Sequence, residues 1–187
     1  MKYLVLLLLL FSCIIFSCNK NLNEINNQNI SGDAVEIYLV SELDEPRGYC
    51  IDVKGSKQDA NISRGLQAHT CYSYQGSISV DQRFDKDKIQ NNEFYLPYFG
   101  VCIEAKDVIE FYELDLSICN QEEKQKFIYD DNGKIVLESN KNLCLTVSLN
   151  SRQGGGGDPI HLIRDLNLQI CNDEISNRQT WSIRKEF

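Results

Sequence analysis

The fold is decided by one stretch of sequence, Gly48-Tyr49-Cys50-Ile51-Asp52-Val53, in which a cysteine sits inside a short apolar run. A second cysteine ends the stretch Leu66-Gln67-Ala68-His69-Thr70-Cys71, and the triplet Gln82-Arg83-Phe84 follows it. The same order returns twice, as Gly100–Ala105, Leu116–Cys119 and Gln125–Phe127, and then as Asn142–Val147, Leu168–Cys171 and Gln179–Trp181. A repeat of roughly 45 residues predicts a threefold or arrayed architecture.

Around these repeats the sequence predicts strands and no helix. Apolar residues alternate or cluster in short runs such as Val35–Val40, Lys134–Leu137 and Ile160–Ile163, a pattern typical of β-strands. Asp131–Lys134 (DNGK) predicts a hairpin turn, because Asn and Gly both tolerate positive φ. Twelve short strands in three similar units predict an all-β fold, a β-trefoil, in one domain over residues 35–187.

The N-terminus predicts an export signal over residues 1–17. Lys2 precedes an apolar run, Leu4–Phe16, which is too short to span a bilayer but fits the core of a signal peptide. The run ends in Ile15-Phe16-Ser17-Cys18, which resembles a bacterial lipobox, so we expect Cys18 to carry the lipid. Two alternatives stay open: Leu10–Cys13 as the lipobox, or an ordinary cleaved signal peptide with Cys18 a free thiol.

Residues 18–34 are polar and rich in asparagine, the composition of a flexible tether. Asn19 stands where the inner-membrane retention signal of bacterial lipoproteins has aspartate. We therefore expect a protein held by its lipid on the bacterial outer membrane, on either face, with the membrane contacted through the anchor only.

The remaining cysteines are predicted to form disulfides. Cys13 leaves with the signal peptide and Cys18 is acylated, so six of the eight cysteines remain in an oxidising compartment. Sequence alone leaves their pairing open, but the repeat favours pairs within each copy: Cys50 with Cys71, Cys102 with Cys119, and Cys144 with Cys171. No metal site is predicted, since the chain has no C-x-x-C pair and only two histidines.

The cysteine-apolar-acidic start, the second cysteine and the Gln-x-aromatic end resemble the ricin B-type lectins, which are β-trefoil carbohydrate-binding domains. The resemblance extends over Val35–Phe187. It implies that the glutamine of each triplet ties backbone and that the aromatic packs on the trefoil axis. Phe84, Phe127 and Trp181 take that aromatic place, the two phenylalanines departing from the usual tryptophan.

The resemblance also implies a sugar site in the first repeat, made of Asp52, Gln67, His69 and Asp81. A carboxylate and an amide orient a pair of hydroxyls, while a flat ring packs against the C–H face of a sugar. We expect Asp52 to be exposed. The structural alternative is that Asp52 and Gln67 are ordinary strand residues. The other two repeats match the pattern less well, with Glu104, Asp115, Ser117 and Lys124 in the second and Thr146, Asn167, Gln169 and Arg178 in the third.

Composition and motifs argue against several other functions. A net charge of −8 disfavours nucleic acid and anionic membranes as partners. The run Gly154–Asp158 lacks the Lys-Ser/Thr of a phosphate loop, and it is interpreted as an insertion that lengthens a loop. No serine lies in a nucleophile-elbow pattern, so we expect neither catalysis nor a cofactor.

The sequence thus predicts a lipid-anchored lectin whose partner is a glycan or a polysaccharide. An alternative is a non-catalytic, receptor-binding toxin subunit, because such subunits of cytolethal distending toxins also resemble ricin-type trefoils; it would bind a partner protein. A third alternative is a trefoil that has lost sugar binding and acts as an inhibitor or scaffold.

Overall fold

The short apolar runs of the sequence form the strands of the structure. The computed structural model describes residues 33–185, and in them the strands are β1 (Ala34–Leu39), β2 (Tyr49–Val53), β3 (Leu66–Thr70), β4 (Phe84–Asp85), β5 (Tyr95–Leu96), β6 (Val101–Ala105), β7 (Leu114–Ser117), β8 (Phe127–Tyr129), β9 (Ile135–Leu137), β10 (Asn140–Val147), β11 (Arg152–Gln153), β12 (Leu162–Ile170) and β13 (Trp181–Lys185). The all-β prediction is confirmed. The strands number thirteen instead of twelve, and the two-residue β11 pairs with β12 beside the glycine run.

Helices in the described residues are short. One α-helix, α1 (Lys86–Gln90), begins after Asp85, whose side chain accepts hydrogen bonds from the backbone N–H groups of Asp87 and Lys88. The 3₁₀ turns are Lys57–Asp59, Ile62–Arg64, Tyr72–Gln75, Glu123–Gln125 and Asp173–Arg178. None of the described helices is long and apolar enough to cross a membrane. The predicted signal peptide and Cys18 lie outside the described residues, as does the tether up to Gly32.

The strands form two sheets. The larger sheet has the order β13-β1-β2-β3-β12-β10-β9-β8, with β4 beside β1 and β11 beside β12, and the smaller sheet is β5-β6-β7. β1 and β13 run antiparallel, with Leu39 opposite Trp181 and Val35 opposite Lys185. The first and last strands of the described chain therefore lie side by side.

Each copy of the repeat contains an antiparallel strand pair, with its first cysteine in one strand and its second cysteine just after the end of the other. The pairs are β2 with β3, β6 with β7, and β10 with β12, and each is closed by one disulfide: Cys50–Cys71, Cys102–Cys119 and Cys144–Cys171. The residue two positions after the first cysteine stands opposite the residue four positions before the second, as Asp52 with Gln67, Glu104 with Asp115, and Thr146 with Asn167. The three copies thus share one register.

The aromatic residue of each triplet lies in the core. Phe84, Phe127 and Trp181 are all buried, and the Trp181 indole N–H donates to the carbonyl of Leu145 at 3.0 Å. Because a buried indole N–H needs an acceptor, this bond lets tryptophan occupy a site where the other repeats place phenylalanine.

The hairpin turn predicted at Asp131–Lys134 connects β8 to β9. Gly133 has φ of +76°, and a Cβ on it would stand 2.7 Å from the carbonyl oxygen of Trp181, so only glycine fits. The carboxylate of Asp130 accepts from the N–H groups of Asn132 and Lys134, which closes the turn.

Candidate functional site

The glutamine of each triplet binds the residue two positions after the first cysteine. Its Nε2 donates in every repeat: Gln82 to Asp52 Oδ2 at 3.0 Å, Gln125 to Glu104 Oε2 at 2.7 Å, and Gln179 to Thr146 Oγ1 at 2.9 Å. The same amide donates to the carbonyl before the second cysteine, and its oxygen accepts from the N–H after that cysteine. The glutamine therefore connects the backbone around the second cysteine to the strand that holds the first, as the resemblance implies.

Asp52 lies in the interior of the first repeat, at 1 % exposure. Its Oδ1 accepts from Gln67 Nε2 at 2.8 Å, and its Oδ2 accepts from Gln82. The expectation of an exposed Asp52 is wrong, because both oxygens serve neighbouring amides inside the protein. Burial and the nearby charge of Asp81 raise the pKa of Asp52 well above its usual value, although the two amide donors act in the opposite direction. Gln67 is also buried.

Asp81 is also buried, and it faces backbone. Its Oδ2 accepts from the N–H of Lys57 at 2.5 Å, while its Oδ1 has no hydrogen-bond partner among the described residues. The position where the resemblance places a sugar contact therefore fixes the loop that carries Lys57.

His69, unlike the buried Asp52 and Asp81, lines a cavity of the described residues. Its ring stacks on Tyr72 with centroids 5.1 Å apart and meets the ring of His161 edge-on at 5.0 Å. His69 Nδ1 lies 2.9 Å from the carbonyl of Thr70, so Nδ1 carries the proton and Nε2 of the neutral ring is an acceptor. Burial lowers the pKa of His69, and it does the same for His161.

This first-repeat cavity has a volume of about 350 Å³. One wall is Gly55–Lys57, another holds His69, Tyr72 and Gln75, and the third comes from the third repeat: Gly155–Gly157, His161 and Ile163. Rings, a hydroxyl, an amide and one ammonium thus surround a space of the size that small ligands occupy.

The glycine run forms the third wall of the cavity, where the sequence predicted only a longer loop. Gly157 has φ of +91°, and a Cβ on it would stand 2.3 Å from Cδ2 of His161. On the other side, Arg47 donates to the carbonyls of Pro159 and Ile160 at 2.7 and 3.0 Å while it pairs with Glu45. The loop is therefore packed against His161 and fastened at its end by Arg47.

Sequence reasoning missed Lys57, Tyr72 and His161 as cavity residues. Tyr72 was visible as the aromatic residue directly after Cys71, and His161 as one of only two histidines. Lys57 carried no signal, since it stands in a polar loop and its position depends on the bond to Asp81.

The other two repeats lack such a ring. Ser117 and Gln169 occupy the places that correspond to His69, and their side chains bond within their own repeats: Ser117 to Glu104 at 2.6 Å and Gln169 to Asn167 at 2.8 Å. A larger cavity of about 480 Å³ lies between α1 and the segment around Gln121–Lys126, lined by carboxylates, lysines and amides without an aromatic ring. The first-repeat cavity is thus the better match to a sugar.

Comparison with known proteins gives one family and several solved structures. The model of the ricin-type beta-trefoil lectin domain matches residues 40–181, which include all three repeats. No curated protein sequence matches the chain.

Three similar structures illustrate the range of the likeness. The C-terminal domain of an earthworm lectin, a mutant solved with 6′-sialyllactose, has a TM-score of 0.55 and 19% identity over 82% of this chain and 99% of its own. The β-trefoil lectin of a Vibrio vulnificus hemolysin/cytolysin, solved with N-acetyl-D-lactosamine, has a TM-score of 0.51 and 18% identity, over 84% of this chain and 97% of its own. A non-toxic homologue of type II RIPs from Momordica charantia, solved with α-methyl-D-galactoside, has a TM-score of 0.53 and 13% identity, over 80% of this chain and 47% of its own. At these identities the likeness establishes the β-trefoil-like fold.

Proposed function

Since the chain belongs to the ricin-type β-trefoil lectin domain family, we propose that it is a non-catalytic carbohydrate-binding protein whose glycan occupies the first-repeat cavity. The observation that carries the proposal is the grouping of His69, Tyr72 and His161 around one cavity. Aromatic faces pack against the C–H surface of a sugar, and Ser56 and Gln75 offer polar groups for its hydroxyls.

The neighbouring structures support this proposal. Those from earthworm and Vibrio vulnificus were solved with sialyllactose, N-acetylgalactosamine and N-acetyllactosamine. In this chain the sugar contacts differ from the pattern that the resemblance implies, because Asp52 and Asp81 are buried. Both oxygens of Asp52 accept from amides, and one oxygen of Asp81 accepts from the N–H of Lys57. The recognition surface we propose is therefore His69 with Lys57, Tyr72 and His161.

The proposal is tested on a glycan array with the purified full chain and two variants. His69→Ala removes the ring that the cavity shares with Tyr72, and we expect glycan binding to fall about tenfold or more, as for loss of a buried contact worth about 1.4 kcal/mol. Gln169→Ala, at the corresponding position of the third repeat, is the matched control and should bind like the parent. If His69→Ala binds glycan as tightly as the parent does, the sugar site lies elsewhere. If the parent binds no glycan on the array, the proposal of glycan binding is rejected.

A second candidate function is that of a toxin subunit with a protein partner, and one surface favours it. Ile109, Phe111 and Ile170 are 52%, 65% and 48% exposed, and the N–H of Phe111 donates to the carbonyl of Leu168 at 2.7 Å, which holds the two segments together. Contiguous exposed apolar side chains are typical of protein interfaces. Co-purification with the product of a neighbouring toxin gene, lost in Phe111→Asp while glycan binding is kept, would support this function.

We also propose that Cys18 carries the lipid and holds the domain on the bacterial outer membrane. The lipobox-like end of the signal sequence and the polar tether support this localisation.

A further inference from the structure

We propose that the first-repeat cavity selects glycans that carry a carboxylate or a sulfate, with Lys57 as the residue that binds the anionic group. The inference rests on the proposed function and names the class of sugar that the cavity takes.

The backbone places Lys57 in an uncommon conformation at the cavity wall. Lys57 has φ of +50°, a region that side chains other than glycine, asparagine and aspartate seldom adopt. Its N–H is held by the buried carboxylate of Asp81 at 2.5 Å, and Gly55, two residues before it, would clash with Ala60 if it carried a Cβ. A strained conformation persists only where the surroundings enforce it, and such positions concentrate at binding sites.

The side chain of Lys57 lies over the ring of Tyr72, with Nζ 5.5 Å from the ring centroid. No ion pair to this ammonium is present in residues 33–185, whereas the neighbouring cation Arg47 is paired with Glu45 at 2.6 Å. Arg47 is also committed to two backbone carbonyls of the glycine loop. Lys57 is thus the cation at this cavity that remains available to a ligand.

The walls of the cavity carry no carboxylate, which is notable in a chain with 27 acidic and 19 basic residues. Asp52 and Asp81 lie behind the walls, where the first faces two amides and the second faces the backbone of Lys57. An entering anion therefore meets an ammonium, a hydroxyl, an amide and neutral rings. A bond between an ammonium and a carboxylate or sulfate is about twice as strong as a neutral hydrogen bond, so charge on the glycan increases affinity.

The test measures the binding of three probes that share one neutral core: lactose, 3′-sulfolactose and 6′-sialyllactose, titrated into the full chain by calorimetry. We expect both acidic probes to bind about tenfold more tightly than lactose, the usual range for one charge-assisted bond. Lys57→Asn, which removes the charge but tolerates positive φ, should abolish this difference, so that the two acidic probes bind no more tightly than lactose does. Lys57→Arg should keep the preference, and Lys141→Asn, an exposed lysine outside the cavity, should behave like the parent.

Each result decides between the two proposals. If the parent binds all three probes with equal affinity, the anion preference is wrong and the proposal of glycan binding stands. The same holds if only neutral glycans bind on the array. A preference that persists in Lys57→Asn overturns the role of Lys57. Binding of no probe, together with a blank array, rejects the anion preference and the proposed function alike.

Discussion

At the scale of single residues, Asp52 matches the position of a sugar-binding carboxylate in the sequence pattern, but in the structure it binds two buried amides of the protein. Its carboxylate accepts from Gln67 and Gln82 and is closed off from solvent. Removing it leaves two buried amides without their acceptor. We expect Asp52→Ala to lower the free energy of unfolding by about 1–3 kcal/mol, the cost of unsatisfied buried polar groups, in urea titrations. The sequence alone suggested a negligible effect, as for an exposed residue.

The variant Asp52→Asn removes the titrating carboxylate and keeps one of its two acceptor oxygens. The pKa of Asp52 is raised in the folded state, so the native protein binds the proton more tightly than the unfolded chain, and stability falls as pH rises above the ordinary aspartate value of about 3.9. Asparagine has no such titration. The melting temperature of Asp52→Asn minus that of the parent should therefore increase as pH rises from about 4 to 7. A constant difference across that range would show that the carboxylate is not desolvated.

At the scale of elements, the glycine loop Gly155–Gly157 forms one wall of the cavity, and its positions differ in whether they accept a side chain. A Cβ on Gly157 would stand 2.3 Å from the His161 ring, whereas a Cβ on Gly155 or Gly156 meets no atom within 4 Å. We expect Gly157→Ala to displace the loop or His161 and to weaken glycan binding about tenfold on the array, the effect of misplacing one contact worth about 1.4 kcal/mol.

Gly156→Ala is the matched control for this loop, since it adds the same methyl group one residue away into open space. It should bind glycan like the parent. Equal binding by the two variants would mean that the loop does not contribute to recognition.

The same comparison of elements shows what could be predicted from the sequence. The cysteine strand pairs and the triplets were visible because each copy carries its own markers, and the buried Phe84, Phe127 and Trp181 follow from them. The cavity was not visible, because His161 and the glycine loop reach it from the third repeat. The contact between the repeats depends on the bonds from Arg47 to the glycine loop, and the bond from Lys57 to Asp81 fixes the cavity wall within the first repeat. Neither leaves a periodic trace in the sequence.

At the scale of the whole molecule, the proposed lipid on Cys18 would attach the domain through the polar segment 18–34. We expect Cys18→Ala to abolish incorporation of radiolabelled palmitate, because the thiol is the site where the lipid would be joined. Cys13→Ala is the matched control and should label like the parent. If Cys18→Ala is labelled and Cys13→Ala is not, the lipid is on Cys13. If the parent protein takes no label, the lipoprotein proposal is rejected.

The pairing of β1 with β13 also bears on how the protein is made. Leu39 meets Trp181 and Val35 meets Lys185, so the first strand, which also pairs with β2 and β4, completes its pairing only with the last strand. A ribosome releases the N-terminal end first, and contacts so distant in sequence form slowly. This pairing of the sheet therefore forms only after synthesis of the domain is nearly complete.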